Sequence, residues 1–229
     1  MMLIIALLVL IGQGYVCWRV WHLLPLPKLA KCVVVVFLVS LLFSLLVAVL
    51  FKTSLPETLL RTFYIGGSAW IFMLLYLVLI FGLADIVTWF VPTWRRYLSE
   101  SWAGLCVVLG LMVVIFGYGN VHYHHKVRVP LRLYIDKPLR PLRIVAISDL
   151  HLGYTIGREE LARWVEQINA ERPDLILIAG DIIDDATEPV LSEGSHHVLA
   201  DLYAPLGVYA CLGNHEYFTD PLCERGVTA

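Results

Sequence analysis

Long apolar runs, separated by short polar stretches, fill the first half of the chain. A helix needs about 20 mostly apolar residues to cross a bilayer, and four runs reach that length. They are Met2–Leu24, Cys32–Phe51, Gly66–Val91 and Trp102–His122. The pattern therefore predicts a helical membrane region of about four spans over residues 1–122.

The first apolar run could be read as a secretory signal peptide. Its apolar core is followed by Trp18, Arg19 and Trp21, whereas a signal peptide ends in small residues at a cleavage site. Three further spans also follow it. We therefore expect the first run to be a retained membrane helix.

Asp85 is the one acid within the predicted spans. An intramembrane carboxylate is by default a candidate functional residue. Because no second intramembrane acid or base is evident beside it, we expect Asp85 to reach the membrane interface or a neighbouring helix. The lack of paired charges and of Gly- or Pro-broken spans also disfavours a transporter.

The pattern changes beyond the last span. Residues 123–141 form a linker in which Pro130, Pro138 and Pro141 exclude a helix, and alternating apolar residues predict an extended, half-buried segment. From Leu142, short apolar runs alternate with helical periodicity. The predicted strands are Leu142–Ser148, Asp174–Gly180 and Gly207–Gly213, and the predicted helices are Arg158–Ala170 and Pro189–Leu202.

Continuous apolar strands separated by helices predict a largely parallel sheet buried on both faces. The expected fold is thus an α-helical membrane bundle followed by an α/β layered domain over residues 142–229.

Composition agrees with a membrane protein that carries a water-soluble part. Hydrophobic residues make up 59% of the chain and charged residues 16%, against about 25% charged in ordinary soluble domains. Charged residues reach an ordinary frequency only from Lys126 onward. The formal net charge of -2 gives no sign of a polyanion-binding surface, so nucleic acid is not an expected partner.

Polar residues follow each predicted strand directly. Asp149 and His151 come after the first, Asp181 after the second, and Asn214 and His215 after the third. Ligands bind at the carboxyl ends of strands in α/β sheets, so these residues are expected to meet at one edge. Carboxylate, imidazole and amide donors suit divalent Mn, Fe or Zn. Two such ions would polarise a phosphoryl group and activate its attacking nucleophile.

Three motifs carry a specific resemblance. They are Asp-x-His at Asp149–His151, Gly-Asp-x-x-Asp at Gly180–Asp184 and Gly-Asn-His-Glu at Gly213–Glu216. Together they resemble the calcineurin-like metallophosphoesterase family, in its membrane-anchored subgroup. The resemblance implies a two-metal hydrolase of phosphomonoesters or phosphodiesters.

The resemblance also implies a role for each matched residue. Asp149 and His151 would bind the first metal ion, Asp181 would bridge both ions, and Asn214 would bind the second. His215 would contact the phosphate and act as the general acid that assists the leaving group. Asp184, by contrast, is expected to support its loop rather than to bind metal.

The implied substrate is a phosphoester, with lipid-linked or nucleotide-sugar compounds as the narrower expectation. The chain is expected to be an integral protein of the cell membrane. Short loops that carry Lys28, Lys31, Arg95 and Arg96 favour a catalytic domain outside the cytoplasm. Basic residues after the fourth span favour the opposite orientation.

The family pattern continues with a later lone His and a Gly-His-x-His motif, and neither occurs before Ala229. We therefore expect a fragment or truncated form of a working hydrolase. The alternative is a catalytically inactive membrane protein with a remnant phosphoesterase domain. On either account, residues 1–229 by themselves should show little activity and retain metal poorly.

Overall fold

The computed structural model describes residues 2–218, apart from residues 53, 139 and 185. The chain divides into two compact units, Met1–Arg132 and Leu133–Ala229. The predicted end of the phosphoesterase region, from residue 219 on, lies outside the described residues.

The first unit consists of long helices, as the apolar runs predicted. They are α1 (Met2–Leu23), α2 (Lys28–Leu50), α3 (Glu57–Phe90) and α4 (Trp102–His124), with a short 3-10 helix at Pro92–Tyr97 before α4. All four long helices have the length and apolar composition needed to cross a membrane. Helix α3 begins before the predicted run, directly after Pro56, because its first turns contain Glu57, Leu60 and Arg61, which are good helix formers.

Most side chains on these helices are exposed, and the exposed ones are largely apolar. Val36 and Val113, for example, are 67% and 71% exposed. Such apolar surface is what a lipid-facing helix presents. Helices α2 and α3 approach closely at Gly67, where an added Cβ would lie 2.6 Å from the backbone nitrogen of Leu45. Small residues allow this kind of close contact between membrane helices.

The expectation that no charged residue joins Asp85 is wrong. An Arg19 nitrogen of α1 lies 3.3 Å from a carboxylate oxygen of Asp85 in α3, and the Tyr15 hydroxyl donates to the same carboxylate at 2.6 Å. The sequence places Arg19 and Asp85 far apart, and only the pairing of α1 with α3 brings them together. Nearby, the Trp70 indole donates to the Gln13 side chain at 2.9 Å. The lack of paired charges in the spans therefore no longer argues against a transporter.

Within its described residues, the second unit contains a three-stranded parallel sheet in the order β1-β2-β3. Its strands are β1 (Ile144–Ile147), β2 (Leu175–Ala179) and β3 (Val208–Cys211). Its helices are α5 (Arg158–Ala170), α6 (Glu188–Ser192), α7 (Ser195–Ala200) and α8 (Asn214–Phe218). Helix α5 matches its predicted bounds.

The single helix predicted at Pro189–Leu202 is wrong, because it is split into α6 and α7. Gly194 separates them with a φ of 71°, a left-handed conformation that a continuing helix does not contain and that glycine adopts without penalty.

The hydrophobic core lies on one face of the sheet. Ile176 and Ile178 of β2 pack there with Leu161 and Val165 of α5 and with Val198 of α7. The sequence predicted strands buried on both faces, and this is wrong for the described residues. On the other face Ile144 is 49%, Leu177 39% and Tyr209 60% exposed, because α5 and α7 cover only the first face.

Beyond His124 the described residues of the linker form no helix, as the prolines predicted, but the linker is not half-buried. Val127, Val129 and Leu131 are 68–84% exposed. Alternation along an extended segment leads to burial only where another element packs on one side of it, and this segment lacks such cover within the described part of the chain.

Candidate metal centre

The loops that follow the three parallel strands lie at the same edge of the sheet. Beyond β1, the Asp149 N–H donates to the Gly180 carbonyl at 3.3 Å, and the His151 N–H donates to the Asp181 carbonyl at 3.0 Å. Leu152 donates to Ile182 at 2.8 Å in the same way. The backbone pairing of β1 with β2 therefore continues into the loops and sets their side chains next to one another.

Three of the predicted ligands have a left-handed backbone. The φ angles are 57° at Asp149, 46° at His151 and 51° at Asp181. For residues other than glycine this conformation costs about 1–2 kcal/mol each, although Asp and His tolerate it better than most. Strain of this kind is concentrated at functional sites, where surrounding contacts hold it in place.

Two glycines allow the second and third loops to touch. A Cβ added at Gly180 would lie 2.6 Å from the Gly213 Cα, and one added at Gly213 would overlap a carboxylate oxygen of Asp181. No larger residue fits either position without moving the backbone. The close approach brings Asp181 to the start of α8, where the His215 N–H donates to its Oδ1 at 2.9 Å.

The side chains at this edge form two groups that share His151. In the first, Asp149, His151 and Asp181 each offer a ligand atom, and these atoms lie within 4.8 Å of one another. The Asp149 Oδ1 is 3.8 Å from the His151 Nε2. Such a set of carboxylate and imidazole donors fits a divalent cation of the Mn, Fe or Zn type.

The second group consists of His151, Asp184 and His215. One carboxylate oxygen of Asp184 lies 3.4 Å from the His151 Nδ1 and 3.5 Å from the His215 Nδ1. The two imidazole rings meet edge to face, with centroids 4.5 Å apart. Asp184 thus lies between two histidines. The Gly-Asp-x-x-Asp motif by itself does not predict these two contacts.

The structure therefore brings together four of the five predicted site residues: Asp149, His151, Asp181 and His215. The fifth, Asn214, is exposed and begins α8 directly beside His215. Side-chain exposure falls from 63% at Asp149 to 30% at His151 and 29% at His215. The edge is open to solvent on the Asp149 side and more enclosed at the histidines.

Glu216 is a residue that the sequence reasoning did not single out. Its carboxylate is 5% exposed and accepts hydrogen bonds from the backbone N–H groups of Asp181, Ile182, Ile183 and Gly213, at 2.6–3.0 Å. Burial by itself raises the pKa of a carboxyl group, but these four donors outweigh it and lower the pKa of Glu216 below its ordinary value. The feature of the sequence that could have identified Glu216 is the acid that ends the Gly-Asn-His-Glu motif.

A parallel α/β sheet with converging carboxylates and imidazoles at its strand ends defines a class of metal-binding α/β proteins. Residues 142–227 match the model of one family in this class, the calcineurin-like phosphoesterases. This match agrees with the resemblance that the three motifs carry, and the matching region follows helices suited to a membrane.

Several curated proteins are similar to the chain. A transmembrane protein with metallophosphoesterase domain from Danio rerio is 33% identical over 50% of this chain and 26% of its own length. The UDP-2,3-diacylglucosamine pyrophosphatase LpxG of Chlamydia trachomatis is 36% identical over 51% of this chain and 36% of its own length. An uncharacterised metallophosphoesterase of Helicobacter pylori is 30% identical over 48% of this chain and 30% of its own length.

The chain spans between about a quarter and a third of the length of these relatives. No solved structure matches it.

Proposed function

We propose that this chain is a membrane-anchored, two-metal phosphoesterase that hydrolyses phosphomonoesters or phosphodiesters. The observation that carries the proposal is the convergence of Asp149, His151 and Asp181 at the carboxyl edge of the sheet, inside the region that matches the phosphoesterase family. The alternative is a membrane protein whose phosphoesterase domain is a catalytically inactive remnant.

The donor set fits the divalent ions that this family uses. Asp149 and His151 would hold one ion, Asp181 would be shared, and Asn214 would hold the second; Mn, Fe and Zn all suit these ligands. When bound, a pair of such ions supplies charge stabilisation for the phosphoryl group and activates the attacking water.

His215 is the residue proposed to deliver a proton to the leaving group. The Asp184 carboxylate lies 3.5 Å from its Nδ1, so this nitrogen of the ring faces the carboxylate. The Nε2 atom is then the nitrogen that donates to the leaving oxygen. The same Asp184 oxygen lies near the His151 Nδ1, so one carboxylate orients both rings.

A substrate with a lipid or nucleotide part is the narrower proposal. The chlamydial relative carries a name that describes a pyrophosphatase of a diacylated nucleotide sugar. In the present chain, residues 125–143 connect a candidate span directly to the α/β sheet. A phosphoester attached to a membrane lipid is the class of substrate that such an anchored domain would meet.

The test uses a form extended through the family's later His and Gly-His-x-His motifs, and compares its hydrolysis with that of its Asp181→Asn variant in detergent, with Mn²⁺ and bis-p-nitrophenyl phosphate. We expect the substitution to abolish turnover, because it removes a charged ligand from the point where the two ions meet. Unchanged turnover in Asp181→Asn would contradict the two-metal assignment.

The same assay distinguishes an active hydrolase from a catalytically inactive remnant. A form extended through the family's later His and Gly-His-x-His motifs should hydrolyse the substrate with Mn²⁺, whereas residues 1–229 should show little turnover. An extended form that binds Mn²⁺ without hydrolysing any phosphoester would favour the remnant.

A further inference from the structure

Glu216 connects two of the loops that form the metal centre. Its Oε2 accepts from the N–H of Asp181 at 3.0 Å and from that of Gly213 at 2.6 Å. Its Oε1 accepts from Ile182 at 2.7 Å and from Ile183 at 3.0 Å. Each oxygen therefore joins two backbone donors, and the carboxylate as a whole joins the loop after β2 to the residue before Asn214.

This arrangement requires a charged carboxylate. A group that is 5% exposed has lost most of its water, and ionised groups are buried only where hydrogen bonds replace that water. Four N–H donors use both oxygens of Glu216 in charge-assisted bonds. A carboxylate occupied in this way is not available as a metal ligand.

The position of these bonds fixes the conformation of Asp181. Its own N–H and the N–H of Ile182 belong to the peptide groups on either side of it, and both point at the Glu216 carboxylate. Holding the two peptide groups fixes both backbone torsions of Asp181, whose φ of 51° is one that most residues avoid. The direction of the Asp181 side chain follows from those torsions.

We propose that Glu216 is a positioning residue of the metal centre. Its carboxylate holds Asp181 in the left-handed conformation and keeps the loop after β2 in register with Gly213, so that the ligands on both loops face the same ions. The inference rests on the proposed function, because it assumes that Asp181 binds metal. Glu216 contacts neither metal nor substrate and acts through the backbone.

The test replaces Glu216 by its isostere in the membrane protein extended through the family's later His and Gly-His-x-His motifs, reconstituted in lipid nanodiscs, and wild type here means that form with Glu216. In Glu216→Gln an amide nitrogen takes the place of one oxygen and points its own protons at two of the N–H donors. We expect Mn²⁺ affinity, measured from the electron paramagnetic resonance signal of free Mn²⁺ up to millimolar concentrations, to fall on the order of ten- to a hundredfold, as for other residues behind metal ligands.

A second readout follows the loop without metal. Hydrogen exchange of the peptide that covers residues 180–184, measured by mass spectrometry on metal-free protein, should accelerate at least about tenfold in Glu216→Gln, because one or two of its amides lose their acceptor. If Glu216→Gln does not fold, Glu216→Asp keeps the charge and withdraws it by one methylene. It should show the same two changes to a smaller degree.

Two control variants separate positioning from general stability. Glu166→Gln removes an exposed charge from α5 and should change neither readout. Leu161→Ala removes a core side chain that is 1% exposed and should lower the melting temperature while Mn²⁺ affinity stays within twofold of wild type.

The inference alone is overturned if wild-type protein binds Mn²⁺ and Glu216→Gln binds it within twofold as tightly. It is equally overturned if Leu161→Ala loses as much affinity as Glu216→Gln. Wild-type protein that binds no Mn²⁺ at any concentration tested overturns the proposed function and the inference together.

Discussion

At the scale of single residues, the candidate metal centre depends more on backbone conformation than on side chains. Asp149, His151 and Asp181 all adopt left-handed φ angles, which the surrounding hydrogen bonds must maintain. The two glycines at the loop contact leave no room for a Cβ. Small changes at such positions displace ligands without removing any of them.

Gly213→Ala tests this dependence on backbone contact. The new Cβ would overlap the Asp181 carboxylate, and we expect a stability loss of about 1–3 kcal/mol from overpacking with at least tenfold weaker Mn²⁺ binding. Thermal unfolding and Mn²⁺ titration of the same sample measure the two effects.

Gly194→Ala is the matched control for Gly213→Ala. Its φ of 71° makes an alanine costly by about 1–2 kcal/mol, but the nearest atom to the added Cβ is 3.6 Å away on His197. It should lose a similar amount of stability and keep its Mn²⁺ affinity. Equal loss of affinity in both variants would show that stability, not ligand position, controls binding.

At the scale of elements, the sequence was sufficient where structure follows from local pattern. Helix α5 follows from apolar residues at helical spacing, and the four spans follow from apolar length. Contacts between distant elements were not predictable in this way. The Arg19–Asp85 pair depends on which helices are neighbours, and the role of Glu216 depends on N–H groups of a loop 33–35 residues away. Sequence reasoning named the candidate ligands but not the carboxylate that binds the backbone of their loops.

Adjacent glycines in α3 give a prediction for the bundle. Gly67→Ala should destabilise the packing of α2 on α3, because its Cβ would lie 2.6 Å from the Leu45 backbone, and we expect a loss of about 1–3 kcal/mol. Gly66→Ala has nothing within 4 Å of the added Cβ and should be neutral or stabilising. Unfolding in mixed detergent and dodecyl sulfate compares the two, and equal losses would argue against close packing at Gly67.

At the scale of the whole molecule, the chain combines a unit suited to lipid with a unit suited to water. The basic residues in the short loops favour an α/β unit outside the cytoplasm, whereas those after the fourth span favour the opposite side; we propose the first orientation. This localisation is a proposal, and accessible cysteines can test it.

Cys211 of β3 is exposed and free, so it reports the side on which the α/β unit lies. In a Cys223→Ser background, a membrane-impermeant maleimide should label Cys211 in intact cells. A cysteine introduced by Arg96→Cys, in the short 3-10 helix between α3 and α4, should be labelled only after permeabilisation. The reverse pattern would place the catalytic unit in the cytoplasm.

The pairing of Arg19 with Asp85 also has a consequence for biogenesis. Ribosomes make Arg19 first, and Asp85 follows 66 residues later (85 − 19 = 66). During that interval α1 carries a positive charge without its counter-ion. Insertion scales assign a charge at the centre of a span a cost of about 2.5–3.5 kcal/mol, and the cost is smaller for Arg19, which lies near the end of α1. We therefore expect α1 to remain beside the translocon until α3 emerges, so that the two helices enter the lipid together rather than one by one.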